Sequence, residues 1–119
     1  LDDARADKLV ERLRSDDRPT AIFAAGYYFA LGVYRAASSV GLRIGRDLAV
    51  VGVDDPPSAE YLSPSLTTVA QPLIEVGRSG VREIVRMTDA GAPPVRQTLP
   101  PNLIVRASSA GFSSAVHAR

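Results

Sequence analysis

Two short, unbroken apolar runs constrain this chain more than any other feature. One is Ala21-Ile22-Phe23-Ala24-Ala25 and the other is Leu48-Ala49-Val50-Val51-Gly52-Val53. A run of this length with no polar alternation predicts a strand covered on both faces, as in a parallel sheet. Each run follows a stretch with helical periodicity. Asp2 or Asp3 can cap a first helix running to about Ser15, with Ala6, Leu9, Val10 and Leu13 on one face. Asp16-Asp17-Arg18-Pro19 ends it, because proline disfavours helix in the residue before it. A second helix is predicted over residues 27–40, with Tyr27, Ala30, Leu31, Tyr34 and Ala37 as its stripe. Gly41-Leu42 stops it: glycine takes the left-handed turn and the next apolar side chain folds back. Helices alternating with buried-type strands predict an α/β fold, a parallel sheet flanked by helices.

Beyond Asp54-Asp55-Pro56-Pro57 the pattern loosens, and residues 56–67 read as a wandering loop. Thr67-Thr68-Val69-Ala70 reads as a brief strand, and Pro72 suits the first turn of a third helix. That helix places Leu73, Val76, Gly77, Gly80, Val81, Ile84 and Val85 on one face, and Gly91 with Pro93-Pro94 terminates it. Residues 95–99 and 103–105 read as two extended pieces, and the Ser/Ala/Gly-rich end as a frayed tail.

Composition excludes several classes. The 119 residues suffice for one domain of ordinary size, and 45% apolar with 23% charged residues is a globular mixture. A net charge of +1 gives no electrostatic footprint for nucleic acid. There is no cysteine, so neither disulfides nor thiolate metal sites arise. The single histidine, His117, reads as a solvated tail residue, and no metal or cofactor is expected. No apolar run approaches membrane-spanning length, and the acidic Leu1-Asp2-Asp3 is unlike a signal peptide. With no initiator Met, the chain reads as a piece of a longer one.

In open parallel sheets ligands gather beyond the carboxyl ends of the strands, here Ala25-Gly26-Tyr27 and Val53-Asp54-Asp55. A carboxylate at Asp54 can accept hydrogen bonds from two neighbouring hydroxyls, as in holding a polyol. Equally, Asp54 and Asp55 can cap the following turn, and on spacing alone that reading stands first. Catalysis finds little support. Adjacent aspartates on an extended chain diverge, Gly41-Leu42-Arg43-Ile44-Gly45 lacks the spacing of a phosphate loop, and no Ser/His/Asp set assembles around His117. Ser63, Ser65, Ser79, Ser108 and Ser109 read as loop, surface or tail hydroxyls.

An ordered series of segments carries a resemblance. It comprises Arg18-Pro19-Thr20-Ala21-Ile22-Phe23-Ala24-Ala25, Ala30-Leu31-Gly32, the stretch from Gly41-Leu42-Arg43-Ile44-Gly45 to Gly52-Val53-Asp54-Asp55, Tyr61-Leu62-Ser63-Pro64-Ser65-Leu66-Thr67-Thr68-Val69-Ala70-Gln71-Pro72, and Leu99-Pro100-Pro101-Asn102-Leu103-Ile104-Val105-Arg106. In order and spacing, from about Arg18 to Ser108, this resembles the second half of the effector-binding core of lactose/galactose-repressor (LacI/GalR) regulators.

The resemblance implies a periplasmic-binding-protein-like fold, a cleft for a sugar or similar small effector, and a homodimer. It implies operator DNA bound only through a helix-turn-helix outside these residues, and a cytoplasmic location. Asp54 matches a family aspartate that touches effector, Gln71 a residue near the crossover between subdomains, and Gly26-Tyr27 replaces a usual Asn-Asp. Those four are the expected ligand-binding positions. Leu31, Tyr34, Leu62 and Pro64 fall on the family's dimer-forming surface. Residues 1–71 then belong to the C-terminal subdomain and 72–94 form a crossover helix that packs on the first subdomain. Residues 95–108 supply terminal strands, and 109–119 a disordered tail. The competing readings are a periplasmic sugar-binding protein of transport and a small α/β enzyme.

Overall fold

The computed structural model of the chain describes residues 3–111. In order these form α1 (Asp3–Arg14), β1 (Ala21–Phe23), α2 (Tyr27–Ser39), β2 (Ala49–Val53), a single 3-10 turn (Pro57–Ala59), β3 (Thr67–Ala70), α3 (Leu73–Ala90), β4 (Asn102–Ile104) and α4 (Ala107–Ala110). The strands lie in the order β1-β2-β3-β4. β1 pairs with β2 and β2 with β3 in parallel, with Ile22 opposite Val50 and Gly52 opposite Thr68. The sheet as a whole is mixed. Two compact units result, one of residues up to 70 with those from 103 on, the other of residues 71–102.

The first unit holds the core. Leu13, Ala30, Val33, Ala36, Ala37, Leu48, Val50, Ala59 and Leu66 are buried there, with Leu9, Val10, Ile22 and Leu42 packed against them. α2 contacts both α1 and β2, so its buried arc is wider than one stripe and takes in Val33 and Ala36 as well as Ala30 and Ala37. Gly52 makes the close approach possible. A Cβ there would stand 3.0 Å from Leu66 Cδ2 and 3.5 Å from Ala30 Cβ. α2 ends as expected: Gly41 has φ +74°, and the Leu42 amide donates to Ala37 O at 2.9 Å.

Three expectations need correction. β1 is an edge strand, and Phe23 is 63% exposed while Ile22 and Ala24 turn to the core. A continuous apolar run reports that both faces are apolar, not what covers them. Residues 95–99 form no strand; the Val95 amide instead donates to Glu83 Oε1 at 2.9 Å. Ser108 is no tail hydroxyl. It is fully buried in α4, so the chain end read as frayed begins with a docked helical turn. His117 and residues 112–119 lie outside the described residues.

In the second unit, α3 spans the predicted range and ends at Gly91 in the left-handed conformation, φ 58°. Its polar side is cross-linked by Arg82 to Glu75 (2.6 Å) and Arg86 to Glu83. Leu73, Ile74, Val76, Val81, Ile84 and Val85 are all exposed. Among the described residues nothing lies within 4 Å of a Cβ placed on Gly77 or Gly80.

Candidate functional site

The carboxyl ends of β1 and β2 lie side by side because the two strands are paired in register. The Ala24 amide donates to Val51 O at 2.8 Å and carries the ladder one residue past β1. Gly26 then turns the chain with φ 150°, ψ 151°, and its carbonyl accepts from the Ala30 amide as α2 begins. α2 therefore starts at the sheet edge without a side-chain cap. Its first-turn amides are therefore without a side-chain acceptor from the cap position.

At the neighbouring strand end, the Asp54 amide donates to Val69 O at 3.1 Å, and the backbone then leaves the extended region. Asp54 has φ 90° and Asp55 φ 40°. Two consecutive non-glycine residues in the left-handed region cost on the order of 1–3 kcal/mol each and persist only where neighbours hold them. Asp54 is exposed. A Cβ on Gly26 would lie 3.9 Å from Asp54 Oδ2 and 3.4 Å from Phe29 Cδ2. The structure thus brings Gly26, Asp54 and the half-exposed ring of Phe29 together. Phe29 was not singled out in the sequence, although it stands three residues after Gly26, the spacing that puts both on one side of a helix start.

Tyr27 packs against the core and meets Tyr28 edge-on, with centroids 5.8 Å apart at 66°. Tyr28 is exposed. Gln71 is exposed and opens the second unit.

Asp55 has a different role from Asp54. Its Oδ1 accepts from Arg106 Nη1 at 2.6 Å and from Thr68 Oγ1 at 2.7 Å. Arg106 Nη1 also reaches Leu66 O (2.8 Å) and Thr68 Oγ1 (3.2 Å). Arg106 holds the Asp55 carboxyl below its ordinary value, with Thr68 adding to this against the cost of burial. The 3-10 turn that follows starts after Pro56, whose position carries no side-chain cap. The partner of Asp55 lies 51 residues away, and no local signal in the sequence links them.

The same C-terminal segment ties down β3. Thr67 Oγ1 accepts from the Arg106 amide (2.8 Å), and the Thr67 amide donates to Ser108 Oγ (2.8 Å). Ser108 Oγ in turn donates to Val50 O at 2.6 Å.

Of the positions expected at a dimer surface, Tyr34 and Leu62 pack against the core and Leu31 is half-buried. The Tyr34 hydroxyl donates to Pro64 O at 2.8 Å, tying the loop before β3 to α2, and burial pushes its pKa up to about 12. Among the described residues no three His, Cys, Asp or Glu side chains could hold a metal ion, and no helix is long and apolar enough to cross a membrane.

Comparison with known proteins agrees with this fold. The periplasmic binding protein-like domain matches residues 1–109. The ribose operon repressor of Haemophilus influenzae is 42% identical over 74 residues, 62% of this chain and 22% of the relative. The HTH-type transcriptional repressor PurR of Yersinia enterocolitica is 35% identical over 99 residues, 82% of this chain and 29% of the relative. A dimeric Lac repressor structure with a C-terminal deletion superposes with a TM-score of 0.79 at 32% identity, over 87% of this chain and 38% of that one. The chain therefore spans less than a third of the length of these curated relatives. The order of segments, the fold and these matches lead to one assignment: the chain belongs to the LacI/GalR family, within its periplasmic-binding-protein-like effector domain.

Proposed function

We propose that the chain is the ligand-sensing and dimerisation part of a cytoplasmic transcriptional repressor that holds a sugar-like small effector at the ends of β1 and β2. One observation carries the reading: an exposed carboxylate, Asp54, stands beside the bare backbone of Gly26 and the ring of Phe29. A carboxylate accepts from ligand hydroxyls, while an aromatic ring takes the apolar face of a pyranose or of a flatter molecule. Gly26 offers no side-chain hydrogen bond, so recognition on that side falls to backbone, Phe29 and Tyr27. Gln71 is a further candidate for effector contact, on the family resemblance alone.

The relatives are repressors, one of a ribose operon and one described as HTH-type, which favours regulation over transport or catalysis. Operator DNA is bound by a helix-turn-helix outside these residues. Leu31, Tyr34, Leu62 and Pro64 contribute to a two-fold interface, as the dimeric Lac repressor suggests. The apolar face of α3 is covered in the whole protein by the first subdomain, to which the chain crosses after β3.

The test is calorimetry on the full-length protein with a panel of pentoses, hexoses and disaccharides. Asp54→Ala should weaken binding of whichever sugar the wild type takes by about 1–3 kcal/mol, with the dimer intact. Unchanged affinity, or a wild type that ignores every sugar, overturns the reading.

A further inference from the structure

We infer that Arg106 is a positioning residue for the effector site: through Asp55 it holds the Asp54-Asp55 turn in its left-handed backbone, and so fixes where the Asp54 carboxylate stands. The inference rests on the proposed role of Asp54, but its structural half stands apart from any ligand.

Four observations carry it. Asp54 and Asp55 both have positive φ, 90° and 40°, without being glycine. Such a pair relaxes unless something outside the turn restrains it. The restraint is visible. Arg106 Nη1 binds Asp55 Oδ1 at 2.6 Å, and both side chains are only 17% exposed. The same guanidinium nitrogen is itself fixed, by Leu66 O at 2.8 Å. Thr68, fully buried in β3, donates to the same carboxylate oxygen. Asp55 is therefore anchored to β3 and to the C-terminal segment together, and the carboxylate of its neighbour Asp54 stands beside Gly26, 3.9 Å from where a Cβ on that glycine would lie.

Arginine suits this task because its donors are fixed in one plane, whereas a lysine ammonium would satisfy Asp55 without fixing its direction. Ligand-facing groups need such support, since a small displacement of an acceptor loses a directional hydrogen bond. The Arg106 backbone is fixed in turn by its amide on Thr67 Oγ1, so the support is continuous with the sheet.

The test has two readouts. In the isotopically labelled 119-residue chain, NMR couplings and carbon shifts report the backbone angles of Asp54 and Asp55. Amide exchange at Asp54, bonded to Val69 O, reports the turn's opening. In Arg106→Gln the left-handed signatures of both aspartates should be lost. Exchange at Asp54 should quicken by about tenfold or more, while amides in the middle of β2 stay within about twofold. Arg106→Lys should recover exchange in part. Should Arg106→Gln not fold, Asp55→Asn removes only the charge, and the same changes are expected there. Unaltered Asp54 and Asp55 signals in the variant that folds overturn the inference. In the full-length protein, Arg106→Gln should weaken sugar binding by about tenfold without dissociating the dimer. A turn that melts in a protein whose wild type binds no sugar defeats the proposed function and leaves the positioning role standing. A turn that holds defeats the positioning role whatever the protein binds.

Discussion

Ser108 and Val50 are 58 residues apart in the chain, yet the Ser108 hydroxyl donates to the Val50 carbonyl across 2.6 Å and accepts the Thr67 amide at 2.8 Å. Removing that oxygen leaves a buried acceptor and a buried donor without it. Ser108→Ala should destabilise the first unit by about 1–3 kcal/mol, measured by urea denaturation. The partly buried Ser109, bonded to Thr67 Oγ1, should lose less on the same substitution. Equal losses at the two positions would contradict the role of the Ser108 hydroxyl as a latch between Val50 and Thr67.

Acid should act on this fold through Asp55. Its folded pKa lies below the ordinary 3.8, chiefly because of Arg106, so the pair's contribution is fully present above that value. It is lost as pH falls from there through the folded pKa, because the unfolded chain binds the proton first. Urea midpoints followed between pH 6 and pH 2.5, a range of about the width the linkage requires, should fall more steeply for the wild type than for Arg106→Gln. Asp17 with Arg12, Asp47 with Arg43 and Glu83 with Arg86 are shifted in the same direction, but these pairs are more exposed, and high salt should weaken their share more than that of Asp55.

Glycines in this chain should respond to alanine with opposite signs. Gly52→Ala forces a methyl to 3.0 Å from Leu66 Cδ2 and should cost about 1–3 kcal/mol by thermal or urea unfolding. Gly77→Ala meets open space on an exposed helix and should favour α3 by about 1 kcal/mol, read as increased helicity. If the first subdomain covers that face in the whole protein, Gly77→Ala should instead lower the stability of the full-length form.

Leu31→Glu should shift the full-length protein toward monomer in sedimentation velocity, since a half-buried leucine gives way to a charge at a proposed apolar contact. Tyr34→Phe offers a contrast. It removes the bond to Pro64 O within one chain, so it should loosen the loop before β3 and lower stability by about 0.5–1.5 kcal/mol.

How much of this was legible depended on the range of the forces involved. α1, α2 and α3 were placed within a residue or two, because caps, glycine stops and helical periodicity are local. The strand-end position of Asp54 followed from the apolar run before it, and its closeness to Gly26 from parallel pairing. Phe29 was overlooked because an aromatic residue inside a helical stripe looks like core until the turn at Gly26 is seen. Arg106, Ser108 and the buried Thr67-Thr68 pair were beyond reach. Apart from the Thr68–Asp55 bond, which spans 13 residues, their partners lie 38 to 58 residues away, and hydrogen bonds at such separations leave no periodicity behind them. The exposure of Phe23 was hidden for the opposite reason: apolar sequence specifies a wish for cover and says nothing of its source.

The position of the latch at Arg106 and Ser108 has a consequence for the order of biosynthesis. A ribosome delivers β1, β2 and β3 before it delivers residues 106–109, so in the nascent sheet Val50 O and the Thr67 amide lack Ser108, and Asp55 has Thr68 but not Arg106. Only when the C-terminal turn emerges do all three gain the partners seen in the finished fold. Translation that stops short of codon 106 would yield a chain holding nearly every helix and strand, and the whole strand-end mouth, but no means of fastening it. A chain without residues 106–109 lacks these bonds, so its β2–β3 pair should open more readily and be cut sooner by an added protease.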